Sequence, residues 1–125
     1  MIRLTALLRR NPALTADEFH ARWRDVHAKT IVSVPAVRNR IVRYEQHPRV
    51  PDAAGHWTGS EGFDGMAVQW YRSLDDFEAM VRDPEYQRVV APDEAELLDL
   101  ANCVFLLTDE PRVVIDGDVG GSGAG

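Results

Sequence analysis

The chain has 125 residues, 45% of them hydrophobic, with a net charge of −6 and a pI near 5.1. That length supports one domain with one core, and an acidic chain whose basic residues are scattered or interleaved with acids is not built to track phosphates, so no nucleic-acid partner is expected. The single Cys103 excludes an internal disulfide and every multi-cysteine metal site, and the opening MIRLTALLRR is too short and too alternating for a signal peptide or a membrane span; a cytoplasmic protein without a membrane partner is expected.

Ile2, Leu4, Ala6 and Leu8 alternate with Arg3, Thr5 and Leu7, the period of a strand with one apolar face, and Asn11 and Pro12 end it. Thr15 followed by Glu18 is a capping box, so a helix starts at Ala16, with Leu14 and Phe19 at the staple positions. Phe19, Trp23, Val26, Thr30, Ile31 and Val34 follow at helical spacing and predict one buried stripe, while Arg22, Arg24, Asp25 and Lys29 fall off it and reach water. His27 lies inside the stripe. A titratable ring there needs a partner or a task, because burying it without a hydrogen bond costs about 1–3 kcal/mol.

Pro35 stops the helical run, and residues 41–47 (IVRYEQH) predict a second strand. Its faces, Ile41, Arg43, Glu45, His47 and Val42, Tyr44, Gln46, are both mixed, as in a strand that lines a partly polar cavity. Residues 48–62 read as a loop longer than most connections. Residues 63–71 resume the alternation, Met66, Val68 and Trp70 against Ala67, Gln69 and Tyr71. Ser73, with Asp76 at the box position, caps a helix whose apolar side is Leu74, Phe77, Met80 and Val81, and Asp83 and Pro84 interrupt it. Residues 85–90 and 93–100 predict short helical pieces, the second opening on acids as the helix dipole favours. Residues 103–107 (CVFLL) read as a strand buried on both faces, residues 113–115 as a small extra strand, and the Gly-rich end as a flexible tail.

This order predicts an α+β fold, a ferredoxin-like four-stranded antiparallel sheet with helices on one face. The semi-apolar second faces of the strands, with Tyr44, Trp70 or Tyr71, Gln46 and Gln69, are poorly suited to water, so a second copy is expected to cover them as a homodimer.

Each chemically interesting residue has two readings. His27 is a general acid or base, or a core histidine tied to a backbone carbonyl. Tyr44 stabilises an enolate oxygen, with Gln46 orienting the same oxygen, or both simply pack and pair along the strand. Asp64 orients His27 or acts as a second acid/base group, or it serves the turn that Asp before Gly favours. Trp23, Trp70 and Tyr86 wall a substrate pocket, or they are core. His20, His47 and His56 assemble no recognisable metal site, and no phosphate loop, GxSxG or Schiff-base lysine is present, so neither metal nor cofactor is expected.

Seven pieces in this order resemble the EthD family of the dimeric α/β barrel superfamily: a hydrophobic strand ending in Arg9 and Arg10, LTADEF (residues 14–19), WRDVH (23–27), YEQH (44–47), FDG (63–65), a strand ending in Trp70 and Tyr71, and PDEAELLD (92–99). The resemblance covers nearly everything from Ile2 to about Ile115, so residues 1–115 are expected as one domain and 116–125 as a flexible tail. It implies ferredoxin-like protomers that pair through their sheets into a barrel, with a pocket between helix and sheet. It further implies cofactor-free chemistry like that of polyketide cyclases and dehydratases, lactone isomerases of aromatic degradation, or, in neighbouring families, monooxygenases. His27 matches the proton-shuttling histidine of the isomerases, but the middle strand FDGMAVQWY lacks their cysteine. The expectation is therefore a cofactor-independent lyase, isomerase or cyclase on a small apolar oxygenated substrate, such as a polyketide, aromatic acid or lactone. The alternatives are a non-catalytic ligand-binding or accessory dimer and a cofactor-free monooxygenase.

Overall fold

A computed structural model describes residues 1–50 and 61–117. Most of the loop expected over 48–62 and the tail from 118 onward lie outside the described residues. The chain runs β1 (Ile2–Leu8), α1 (Ala16–Arg22), a π-helical turn (Trp23–His27), α2 (Ala28–Ser33), α3 (Pro35–Arg38), β2 (Ile41–Pro48), β3 (Gly65–Tyr71), α4 (Leu74–Arg82), a second π-helical turn (Tyr86–Val90), α5 (Ala91–Leu97), a 3₁₀ turn (Leu100–Asn102) and β4 (Val104–Thr108). The four strands pair antiparallel in the order β2-β3-β1-β4, the ferredoxin-like arrangement expected.

Helix α1 begins where the capping box places it. The Thr15 hydroxyl accepts from the Glu18 amide at 3.1 Å and the Glu18 carboxylate accepts from the Thr15 amide at 2.9 Å. Its buried stripe departs from the sequence expectation. The π-helical turn bonds the Ala28 amide to the Trp23 carbonyl, one residue further than an α-turn allows. The extra residue keeps Phe19, Trp23, His27 and Ile31, spaced by four, on the inner side, and it rotates Val26 outward to 47% exposure. The helical run stops at Ser33, just ahead of Pro35, as the sequence predicts. Val34 takes an extended conformation, and Pro35 then opens the short α3, where its missing N–H is no loss.

One face of the sheet carries the core. Ile2, Leu4, Ala6 and Leu8 of β1 lie level with Tyr71, Gln69, Ala67 and Gly65 of β3, beneath the helices. Ala6, Leu8 and Ala67 pack with Phe19, Trp23, Leu97 and Leu98, while Tyr71 packs with Ile31, Val34, Val37, Met80 and Val90. A bulge at Val42 sets Ile41 and Tyr44 into the same cluster, so the sequence-based split of the β2 faces fails at its first residue. Tyr44, Gln46, Gln69 and Tyr71 thus belong with the helix-covered side. The outer face is formed instead by Arg3, Thr5 and Leu7, by Met66, Val68 and Trp70, and by Val104 and Leu106, which lie level with Leu7 and Thr5.

Two further expectations change. The apolar run of β4 predicts a strand buried on both faces, but it is an edge strand paired only to β1, and Phe105 and Leu106 are 50% and 60% exposed. Residues 113–115 form no strand and stand open to solvent.

Gly65 determines how closely β3 meets the first helical region. A Cβ there would lie 2.8 Å from Trp23 Cζ3 and 2.9 Å from the His47 carbonyl oxygen. Gly65→Ala is expected to destabilise the fold by about 1–3 kcal/mol through overpacking, read as a lower urea midpoint at unchanged slope.

Candidate functional site

A cavity of about 170 Å³ lies between the sheet and the helices. Leu4, Ala6, Leu8, Ile31, Val37, Ile41, Leu97 and Phe77 give it apolar walls, and His27, Tyr44, Gln69, Tyr86 and Glu94 supply the polar groups. A cavity of roughly 150 Å³ accommodates a benzene ring, so the space suits a compact molecule. Both helical segments flanking it carry a π-helical turn, and Trp23 and Tyr86, the first residue of each turn, line the cavity.

His27 is 5% exposed, and its Nδ1 lies 2.7 Å from Asp93 Oδ2 at the start of α5. With the Nδ1 proton donated to the carboxylate, Nε2 keeps its lone pair, and the described residues give it no hydrogen-bond partner. Asp93 Oδ1 accepts from Arg22 Nη2 at 2.9 Å, and the same Nη2 reaches Glu96 at 2.6 Å. Burial by itself would raise the Asp93 carboxyl. The hydrogen bonds and charges of Arg22 and His27 outweigh it and hold the group below its ordinary value. Arg22 therefore does not lie free in water, as its place off the helical stripe suggested: it bends across to α5.

Tyr44 and Gln46 are coupled to this helix. Gln46 Nε2 donates to the Trp23 carbonyl at 3.0 Å and to the Tyr44 hydroxyl at 3.1 Å. As the acceptor in that bond, the Tyr44 hydroxyl keeps its own proton for another partner. Burial raises its pKa, which keeps it neutral.

Glu94, next to Asp93, takes a different partner. It accepts from the Tyr86 hydroxyl, and burial raises its carboxyl above the ordinary value. Burial and the nearby Glu94 also raise the Tyr86 phenol.

Of the residues singled out in the sequence, His27, Tyr44, Trp23 and Tyr86 line one cavity, and Gln46 braces Tyr44 from beside it. Asp64 and Trp70 do not join them. Asp64 is buried against Arg10, accepting from its Nη1 at 2.6 Å and its backbone amide at 3.0 Å, so the carboxylate is consumed in tying β1 to the head of β3. Trp70 points to the outer face, with the guanidinium carbons of Arg3 and Arg43 at 5.7 and 5.6 Å from its ring. Strand alternation puts it opposite Gln69 and Tyr71. Asp93, Glu94 and Arg22 escaped the sequence reading: the two acids looked like ordinary first-turn residues, and Asp93 lies 66 positions from His27. Among the described residues no group of three or more His, Cys, Asp or Glu is arranged to hold a metal, and no helix is long and apolar enough to cross a membrane.

A family model for the EthD domain matches residues 11–101. No curated protein matches the chain. Among solved structures, it is similar to an EthD family protein from Bacillus halodurans, at 15% identity over 89% of this chain and 99% of that one, with a TM-score of 0.65. It is also similar to a dimeric ferredoxin-like protein of unknown function from Thermobifida fusca, at 22% identity over 86% and 88% of the two chains and a TM-score of 0.58. A third similar structure is an antibiotic biosynthesis monooxygenase, at 12% identity over 90% and 100% and a TM-score of 0.54. At these identities the likeness is one of fold.

The network around Asp93 makes a stability prediction. Because its folded pKa is lowered, the carboxylate contributes stability that is fully present above the ordinary value near 3.8 and is lost as pH falls through the folded value. Asp93→Asn is expected to cost about 3 kcal/mol at neutral pH, by leaving Arg22 and His27 without their shared anion, and to flatten the loss of stability on acidification. Urea unfolding from neutral to acid pH measures both.

Proposed function

Because the chain belongs to the EthD family, we propose that this cavity is the active site of a cofactor-independent acid–base enzyme acting on a small, largely apolar, oxygenated compound. One observation carries the reading: a buried imidazole on the cavity wall, anchored at Nδ1 by Asp93 and unpartnered at Nε2 among the described residues. The Asp93 anchor, itself braced by Arg22, ties one ring nitrogen and leaves the other available to a guest.

The chemistry follows from the groups present. His27 Nε2 takes a carbon-bound proton next to a substrate carbonyl, and Asp93 stabilises the imidazolium that forms. The Tyr44 hydroxyl, positioned by Gln46, donates to the carbonyl oxygen as it gains negative charge. Trp23 and Tyr86 shape the cavity around the guest. Elimination, isomerisation and ring closure can all proceed from the enolate, which makes polyketides, aromatic acids and lactones the compounds to examine first. Asp64 and Trp70 have no part in this mechanism, since their side chains are engaged elsewhere.

The assembly proposed with it is a homodimer formed through the outer face. Leu7, Val104 and Leu106 are exposed there beside Met66 and Trp70, more apolar surface than one copy of the sheet can cover, and the similar Thermobifida fusca protein is dimeric.

Two experiments test these readings. Exchange of the α hydrogens of β-tetralone for solvent deuterium, followed by proton NMR, is expected in the wild-type protein and about 100-fold slower in His27→Gln; equal rates would refute the proton-transfer role and leave a binding module. In sedimentation equilibrium the chain is expected at twice its 14.0 kDa mass, and Leu106→Glu at the mass of one copy. A wild-type monomer would rule out the dimer.

A further inference from the structure

We propose that Glu94 is the second proton-transfer residue of this cavity, delivering a proton to the carbonyl oxygen of an enolisable substrate while His27 takes one from the adjacent carbon. The inference deepens the acid–base reading and rests on it.

The geometry sets Glu94 apart from the other acids among the described residues. It lines the same cavity as His27 and Tyr44, although neighbouring Asp93 is spent on Arg22 and His27. The one hydrogen-bond partner of its carboxyl among the described residues is the Tyr86 hydroxyl, which donates to Oε1. Oε2 is left for a proton and a guest. No arginine or lysine pairs with it among the described residues, whereas Asp93 and Glu96 share Arg22. The titratable groups around it are His27, Tyr44, Tyr71, Tyr86 and Asp93. Burial, the largest influence, opposes ionisation, as does the Asp93 charge, while the Tyr86 bond and His27 act the other way; burial prevails. Two adjacent carboxyls displaced in opposite directions are the pattern of an acid beside a group kept ionised.

The step balances without another reactant. The C–H electron pair becomes the C=C bond of an enol, the proton goes to His27 Nε2, the C=O π pair moves to oxygen, and that oxygen takes the Glu94 proton. Tyr86 then donates to the carboxylate so formed, which makes it the positioning residue for Glu94. The reverse step returns a solvent-derived proton to carbon. The substrate class implied is a compact ketone or ester with an acidic α C–H and its carbonyl oxygen directed toward Tyr44 and Glu94.

The probe is deuterium exchange into β-tetralone, measured across pH. Glu94 acts in its protonated form, so wild-type exchange is expected to fall as pH rises through its raised pKa. Glu94→Gln is expected to exchange about 100-fold more slowly and to lose that descending limb. Tyr86→Phe removes a bond that favours the carboxylate, so the limb is expected to move to higher pH, a shift that a purely packing role would not produce. If His27→Gln abolishes exchange while Glu94→Gln keeps the wild-type rate and limb, or if Tyr86→Phe leaves the limb in place, the role of Glu94 is overturned and the acid–base reading stands. If His27→Gln exchanges at the wild-type rate, or the wild type does not exceed imidazole buffer, both fall.

Discussion

A buried imidazole needs something to replace the water it has lost, and the arrangement of this cavity follows from how that need is met. Asp93 supplies the replacement at 2.7 Å. A carboxylate taken out of water raises the same difficulty again, and Arg22 answers it from one helical turn before His27, with its other end of the network on Glu96 at the solvent edge. The chain of charges thus leads from the cavity wall out to water. Such networks are a poor way to gain stability, since well-packed apolar side chains of similar volume do as well or better. What this one provides is position: Nδ1 is tied, the ring is held, and Nε2 is the nitrogen left without a partner among the described residues.

The same logic shapes the backbone around the cavity. A regular α-helix would carry residues spaced by four gradually round its axis, away from the sheet. The wider turn at Trp23–His27 corrects that drift and keeps Phe19, Trp23, His27 and Ile31 on the inner side. The Trp23 carbonyl at the head of the turn also accepts from Gln46, so the turn is tied to β2 and, through the same amide, to the Tyr44 hydroxyl. Gly65 completes the arrangement by letting Trp23 lie against the start of β3 without a Cβ in the way. His27 and Tyr44, from separate elements, are thereby held in one frame.

Across the sheet the balance is different. The helices cover the inner face, whereas on the outer face Leu7, Val104 and Leu106 stay in contact with solvent when one copy is considered, although Val68 at its centre is buried. Trp70 shows what a single chain can do about this, setting two guanidinium groups over a ring that it cannot bury. A strand edge as apolar as Val104–Thr108 is a surface that calls for cover.

Local chemistry made much of this legible in the residues. The capping box at Thr15, the strands at Ile2–Leu8 and Gly65–Tyr71, and the inward position of His27 each follow from patterns a few residues long, because hydrogen-bond geometry and side-chain period act over that range. The order of those elements predicted the ferredoxin-like sheet, and the resemblance, read from seven short pieces, added the family. What the residues could not show were the partners. Asp93 and Arg22 meet His27 only because α5 folds back over the first helical region, Asp64 is claimed by Arg10 across 54 positions, and the bulge at Val42 and the π-helical turn each shift a face by one residue. Those outcomes depend on which elements pack together. Patterns along the chain set the elements and the inward histidine; which charges meet that histidine was left to packing, because a hydrogen bond between distant residues leaves no period in the chain.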